Sequence, residues 1–428
     1  MMQTMKIGLL GLGTVGKGIV DLLQQNREMI HAKTGLDIQI AKVLVRNTAG
    51  RPGYDHLPLT SNIQEILDDP TIKIVVEVMG GIEPARSYMI EALRRGKTVV
   101  TANKDVFAAH DDELYEAGRE GDAEIYFEAT VGGGIPVLRP LKESLGANTM
   151  QKVMGIVNGT TNYILTQMSD GGRPYEEALR EAQELGYAEP DPTNDVQGYD
   201  AARKLAILAS LAFDTRIKPH QVYTEGITKI TPTDITMGKR FGWTLKLLAI
   251  GKGLDGGVEA RVHPAFIPSE HPLASVAGSL NAIFTVGQPV GETMFLGRGA
   301  GAGPTASAVI GDLIAAALSK RTPGRRAGDD PTALYQKPVL PIGEVTTRFY
   351  LRLEVQDEPG ALAAVATAFA AEGVSIAQMI QGRITTQDIE NVVVTHAVKE
   401  SAMQAVMARL RADKTHVLAI NNLIRVEA

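Results

Sequence analysis

The chain contains no cysteine. That absence removes disulfides, thiolate metal sites and every mechanism that needs a thiol nucleophile. An aldehyde dehydrogenase working through a thiohemiacetal is therefore excluded. The eight histidines form no HExxH or comparable pairing, so zinc chemistry has no visible support. An excess of positive charge is missing too. The formal net charge is −6, whereas a nucleic-acid partner normally shows as a basic face. No window reads as the roughly 18 uncharged apolar residues of a membrane helix. The apolar N-terminus carries Lys6 as its only early charge and is broken by glycines, a poor match to a signal peptide. Together these absences predict a cytoplasmic protein with neither a nucleic-acid nor a membrane partner.

At 428 residues the chain is too long for one core, and its 44% apolar and 21% charged residues are ordinary for a globular protein of two or three domains. Residues 6–10 read as a strand, 15–32 as a helix and 38–45 as a second strand; apolar runs at 74–78, 98–101 and 125–127 continue a parallel sheet. Residues 158–259 read as mostly helical, with Ala/Leu periodicity over 201–213 and again around 243–250. A glycine-rich stretch at 297–303 precedes an alanine-rich helix ending near 319. Residues 321–343, rich in Pro, Gly, Arg and Asp, read as a linker. Beyond it, strands at 348–355, 374–379, 391–398 and 417–425 and helices at 361–371 and 401–412 give the order βαββαβ, the ferredoxin-like split motif.

The first strand runs into Gly11-Leu12-Gly13-Thr14-Val15-Gly16 and then a helix. Gly11 permits the tight turn, Gly13 lets a pyrophosphate approach the backbone, and Gly16 lets helix and strand pack closely. The helix N-terminus adds N–H donors and partial positive charge for phosphate. The context points to a dinucleotide. At the end of the second strand, where an NAD site usually has an acid, stands Arg46. Arginine pairs with a 2′-phosphate, which favours NADP and leaves NAD possible; the alternative is a solvent-exposed arginine that decides nothing.

The most unusual stretch is Glu189-Pro-Asp191-Pro-Thr-Asn-Asp195, an acidic turn stiffened by prolines that feeds a helix. On that helix Asp200 and Lys204 are four apart and share a face. A surface ion pair is one reading. The other rests on the all-round apolar run 205–213, which marks a buried helix whose start lines a cleft. There Lys204 would protonate a carbonyl being reduced, with Asp200 orienting it or the substrate.

At these residues the chain resembles the homoserine dehydrogenases. The resemblance runs through Gly11–Gly16, Val76-Glu-Val-Met-Gly-Gly81, Thr101-Ala-Asn-Lys104 and Glu128-Ala-Thr-Val-Gly-Gly-Gly-Ile-Pro136. It continues through Asn158-Gly-Thr-Thr-Asn-Tyr163 and the acidic turn to Gly299-Ala-Gly-Ala-Gly303. It implies reduction of L-aspartate 4-semialdehyde to L-homoserine, with Lys204 as proton donor. By the same resemblance Glu189, Asp200, Thr160 and Gly186 bind substrate, Lys104 lies near nicotinamide and substrate, and Gly303 is a late cofactor contact. It also assigns a monovalent cation, sodium, to oxygens of Glu128, Val131, Gly133 and Ile135. Hard cations prefer such donors, although the triple glycine by itself reads as a turn.

The C-terminal segment resembles an ACT domain, most recognisably at Asp357-Glu-Pro-Gly-Ala-Leu362. It implies an amino-acid effector such as threonine, or a module used only for oligomerisation. The expected organisation is an α/β fold in four parts. A Rossmann-type doubly wound parallel sheet spans 1–136, completed by about 300–320. An α+β catalytic and dimerisation domain spans 137–299, a linker 321–345 and a ferredoxin-like ACT domain 346–428. The expected assembly is a homodimer or homotetramer.

Overall fold

Apolar runs alternating with helical stretches are the pattern of a parallel sheet covered on both faces, because each parallel crossover needs a helix. The computed structural model describes residues 3–49, 52–319, 330, 332, 334–383 and 388–427. Of the linker expected over 321–345, residues 321–329, 331 and 333 lie outside that set. The chain forms two compact units. One comprises Met1–Val153, Ala206–Pro219 and Asn281–Gln336, the other Met154–Leu205, His220–Leu280 and Lys337–Ala428.

In the first unit β1 (Gln3–Leu10), α1 (Thr14–Gln25), α2 (Arg27–Thr34) and β2 (Leu36–Leu44) open the alternation. It continues through β3 (Leu59–Thr60), α3 (Gln64–Leu67), β4 (Ile72–Glu77), α4 (Ala85–Arg94), β5 (Thr98–Thr101), α5 (Lys104–Gly121) and β6 (Ile125–Tyr126), and α6 (Leu138–Lys142) follows. The strands lie parallel in the order β3-β2-β1-β4-β5-β6. The chain thus builds outward from β1 to one edge, then restarts on its other side at β4. That reversal opens a crevice at the carboxyl ends of β1 and β4, where such sheets bind ligands. The helix expected over 15–32 is two helices. Asn26 leaves the helical region (φ −108, ψ 12), and its N–H closes α1 on the Leu22 carbonyl at 3.0 Å. Asparagine favours such caps because its side chain competes with the helix ladder.

Strand β7 (Thr149–Ile156) contributes its last residues, from Met154, to the second unit. There follow α7 (Gly159–Gly171), α8 (Tyr175–Glu184), α9 (Thr193–Val196) and α10 (Tyr199–Ala212), of which the residues to Leu205 count with this unit, then β8 (Tyr223–Thr224) and α11 (Pro232–Arg240). From Trp243 the expected helix is absent. β9 (Trp243–Leu254) and β10 (Gly257–Pro268) pair antiparallel along their whole length, from Gly257↔Leu254 to Pro268↔Trp243. β10 is buried at every position but its last, and β9 without a break from Leu245 to Gly251. With both faces covered, no period of two survives, and an apolar run of this kind cannot be told from a buried helix by periodicity.

In the first unit the chain forms two further strands, β11 (Leu280–Gln288) and β12 (Gly291–Arg298), neighbours in the sheet, and then α12 (Ala302–Ser319). By length and composition α12 is apolar enough to cross a membrane, although Asp312 interrupts it, so it is not the uncharged run expected to be missing. Its apolarity serves packing instead: Ala306, Val309, Leu313 and Ala316 are buried among Ile19, Val20 and Leu23 of α1. In the midst of α12, Asp312 is buried, ion-paired with Arg139, and accepts the Glu128 N–H at 2.8 Å.

The C-terminal part of the second unit holds β13 (Thr346–Gln356), α13 (Ala361–Ala371), β14 (Ile376–Arg383), β15 (Asp388–Thr395), β16 (Val398–Lys399), α14 (Glu400–Ala412) and β17 (Val417–Val426). Its main sheet runs β17-β13-β15-β14 with antiparallel neighbours, the expected βαββαβ arrangement. Alternate residues Phe349, Leu351, Leu353 and Val355 point into a core closed by Phe369 of α13 and Met403 of α14. β17 also pairs in parallel with β10, at Ala265↔Arg425 and Phe266↔Val426.

Candidate active site

The glycine turn leaves β1 with Gly11 at φ +102, its N–H held by the Leu44 carbonyl at 3.0 Å. A Cβ at Gly16 would lie 2.3 Å from the Gly11 carbonyl oxygen, so only glycine lets α1 start this close to the strand. Leu12 is buried, whereas Gly13 and Thr14 are exposed and Val15 packs partly on the core. Gly13 precedes α1 with no side-chain cap, which leaves first-turn N–H groups for a ligand. Beside the turn lies a cavity of about 500 Å³ lined by Gly11, Gly13, Arg46, Ser61, Met79 and Tyr88, among others. Arg46 is exposed at its wall. Gly303 is exposed in the first turn of α12.

Lys104 opens α5 and is half-buried. The preceding Asn103 caps that helix, its Oδ1 accepting from the Val106 N–H at 3.2 Å, while its Nδ2 donates to the Gly81 carbonyl at 2.8 Å. Behind Asn103, the Thr101 hydroxyl accepts the Asn103 N–H at 2.9 Å and donates to Glu77 at 2.8 Å. Glu77 also accepts the Met79 N–H at 2.7 Å. Burial pushes the Glu77 carboxyl up, against the donors of Thr101 and Met79. In the sequence Glu77 stands out only as part of the 76–81 motif.

In the 128–135 loop the Glu128 carboxylate is committed to the N-terminus of α6. It accepts N–H groups of Val137 at 2.6 Å, Leu138 at 2.9 Å and Arg139 at 2.7 Å. The oxygen Glu128 has left for a cation is therefore its main-chain carbonyl. Local main-chain bonds run from Thr130 to the Phe127 carbonyl, from Ile135 to Gly132 and from Gly134 to Arg298. They leave the carbonyls of Glu128, Val131, Gly133 and Ile135 outside them. A donor set of main-chain oxygens fits a hard monovalent ion. Among the described residues no group of three or more His, Asp or Glu side chains could hold a metal.

In the second unit the acidic turn is held by Asp191, whose Oδ1 accepts the Thr193 N–H at 3.1 Å and the Thr193 hydroxyl at 2.6 Å. On α10, Lys204 Nζ lies 2.7 Å from Asp200 Oδ2, and the two side chains are only 13% and 10% exposed. The reading as a surface pair is thereby set aside. Lys204 also donates to the Val157 carbonyl at 2.8 Å. An ammonium has three N–H donors. Two are engaged here, by Asp200 and the Val157 carbonyl.

Next to this pair, Asn158 Nδ2 donates to Asp195 Oδ1 at 2.7 Å and to Asp200 Oδ2 at 2.9 Å, while its Oδ1 caps α7 through the Thr161 N–H at 2.9 Å. Burial, reinforced by the Asp200 charge, raises the Asp195 pKa. Asn158 and Asp195 were missed as site residues. The available signal was an acid five positions before Asp200; the bridging amide comes from a distant segment. Thr160 is buried and donates to the Tyr187 carbonyl at 2.6 Å. Glu189 and Gly186 (φ +75) lie on exposed chain after α8, the Glu189 carbonyl accepting from Gln183 at 3.2 Å. The structure thus gathers Asp200, Lys204, Asn158 and Asp195 in direct contact.

Family models match in three blocks: the homoserine dehydrogenase NAD-binding domain over residues 11–128, homoserine dehydrogenase over 136–314, and an ACT domain over 349–414. The homoserine dehydrogenase of Bacillus subtilis (strain 168) is 41% identical, with 100% of this chain and 99% of the relative covered. That of Mycobacterium tuberculosis (strain ATCC 25618 / H37Rv) is 44% identical over 98% and 97%. A crystal structure of a homoserine dehydrogenase from Thiobacillus denitrificans superposes with a TM-score of 0.93 at 39% identity, covering 100% of this chain and 99% of that one. A hyperthermophilic archaeal homoserine dehydrogenase in complex with NADPH gives 0.63 at 28% identity, covering 74% and 98%. The chain therefore belongs to the homoserine dehydrogenase family of nicotinamide-dependent oxidoreductases and ends in an ACT domain.

Proposed function

We propose that the chain reduces L-aspartate 4-semialdehyde reversibly to L-homoserine, with NADPH held by Gly11–Gly16, Arg46, Lys104 and Gly303. The observation that carries this reading is the buried Lys204 ammonium, held by Asp200 and the Val157 carbonyl with one N–H to spare. NADPH supplies the hydride that forms the new C–H bond at the aldehyde carbon. As the C=O π pair moves onto oxygen, Lys204 gives that oxygen its proton, directly or through water. Asp200 keeps the ammonium aimed. Thr160, Gly186 and Glu189 bind the amino-acid end of the substrate. A sodium ion on the carbonyls of Glu128, Val131, Gly133 and Ile135 would supply fixed positive charge to their loop.

The expected division of labour follows: nucleotide binding by 1–136 completed by about 300–320, catalysis and dimerisation by 137–299, a linker over 321–345, and regulation by 346–428 with threonine as effector, in a homodimer or homotetramer. The test is loss of NADPH absorbance with aspartate 4-semialdehyde, repeated with threonine present. Substrate-dependent oxidation slowed by threonine is expected; no oxidation would overturn the catalytic reading, and indifference to threonine the choice of effector.

Arg46 carries the cofactor preference. Charge-assisted hydrogen bonds contribute about 1.5–3 kcal/mol, so Arg46→Asp should shift the NADPH/NADH ratio of kcat/KM toward NADH by about ten- to a hundredfold. An unchanged ratio would leave Arg46 as a solvent-exposed side chain.

A further inference from the structure

Glu77 is a buried carboxylate that the proposed reaction does not use. It is 0% exposed at the carboxyl end of β4, beside the crevice where the sheet order reverses. Each of its oxygens faces a donor: Oε1 the Met79 N–H at 2.7 Å, Oε2 the Thr101 hydroxyl at 2.8 Å. The Thr101 hydroxyl already accepts the Asn103 N–H, so its own proton is committed to Glu77. Burial works against the charged form, while the Thr101 hydroxyl, the Asn103 amide and the Met79 and Gly80 N–H groups all direct hydrogens at the carboxylate, as an anion requires. Yet among the described residues no cation pairs with it, and its bonds are to neutral groups. An isolated buried charge is costly. A protein that retains one has a use for its field.

Val78, Met79 and Gly80, immediately beyond Glu77, line the cofactor cavity. On the cofactor reading Lys104, three residues beyond Thr101, stands beside the nicotinamide ring, which is cationic when oxidised and neutral when reduced. We propose that Glu77 is a positioning residue for the nicotinamide half of the cofactor: its bonds fix the 78–81 loop and the Thr101–Lys104 turn, and its charge favours the oxidised ring over the reduced one. The inference rests on the cofactor reading above. It adds that a charge behind the loop helps set the balance between the two directions of reaction.

The experiment is direct titration of NADPH and NADP+ into the full chain without substrate, followed by fluorescence or calorimetry. Glu77→Gln keeps the shape and the acceptor for Met79 and removes the charge, with the Thr101 hydroxyl turning to accept the new amide N–H. A charge acting through a poorly screened interior predicts that the Kd for NADP+ rises about tenfold while that for NADPH stays within about twofold. Glu77→Asp keeps the anion and should hold the ratio of the two constants near the parent value. Equal weakening of both cofactors by Glu77→Gln would reduce Glu77 to a structural brace and overturn the proposal, as would a ratio moved equally by Glu77→Asp. If Glu77→Gln does not fold, Thr101→Val, which removes one donor from the anion, should move the ratio in the same direction, and an unmoved ratio rejects the idea. Failure of the parent to bind either cofactor would instead reject the cofactor reading.

Discussion

Replacing Lys204 by alanine should lower kcat by about 10²–10⁴-fold while NADPH affinity stays unchanged, since that is the usual worth of a positioned general acid. The expected loss follows from what surrounds the ammonium. Nζ is held at 2.7 Å by Asp200 and at 2.8 Å by the Val157 carbonyl, so its place is set before substrate arrives. Water let in by the truncated side chain would protonate the oxygen less well, because it would lack that placement. Asp200 is left with Asn158 as a donor at 2.9 Å, so the variant does not strand a carboxylate without partners. Its melting temperature should therefore fall little. Lys204→Arg tests the same point differently: it retains the charge but holds its proton too tightly to give it up. It should be nearly as slow as Lys204→Ala. Turnover comparable to the parent in either variant would remove Lys204 from the mechanism, and a matching loss of NADPH binding would make its role structural.

How much of this could be read from the sequence depends on where each residue finds its partners. Lys204 and Asp200 were legible because helix geometry alone brings residues four apart together, and the apolar run after them announced a buried helix. The glycine turn was legible because strand, turn and helix follow one another directly. Asn158 was not, for its two carboxylate partners stand 37 and 42 residues away, and nothing local marks an N-cap that also bridges acids. Glu77 was hidden likewise, its hydroxyl donor lying 24 residues on. In β9 and β10 the failure lay in the pattern itself. Strands buried on both faces lose alternation, and the remaining clue was Asp255-Gly256, a two-residue connection typical of hairpins. α12 was legible as an alanine-rich helix, because packing against α1 demands small apolar residues.

The largest expected loss of stability comes from Arg352, on the C-terminal module. From β13 its Nε donates to Asp234 on α11 at 2.7 Å, Nη1 to Glu390 at 2.8 Å and Nη2 to the Thr231 hydroxyl at 3.0 Å. Asp234 is 0% exposed and is also the capping-box acid of α11, taking the Thr231 N–H at 3.1 Å and Asn422 Nδ2 at 2.9 Å. Removing one member of a buried pair leaves the other uncompensated, at a cost of about 3–5 kcal/mol. Arg352→Met, which keeps the aliphatic volume, should therefore lower the calorimetric melting temperature by roughly 10 °C. A variant within a degree or two of the parent would mean that the remaining donors suffice for Asp234. The same contacts bear on what the ACT domain is. Arg425 of β17 is bound at 2.7 Å to Glu400 and at 3.1 Å to Glu225, and β17 itself extends the sheet of β10. A module joined by shared strands and buried charge cannot be cut away without unpairing β10. Deletion of 346–428 is thus expected to give a poorly folded chain, and any regulatory role of the module is to be tested with point variants that leave Arg352 and Arg425 in place.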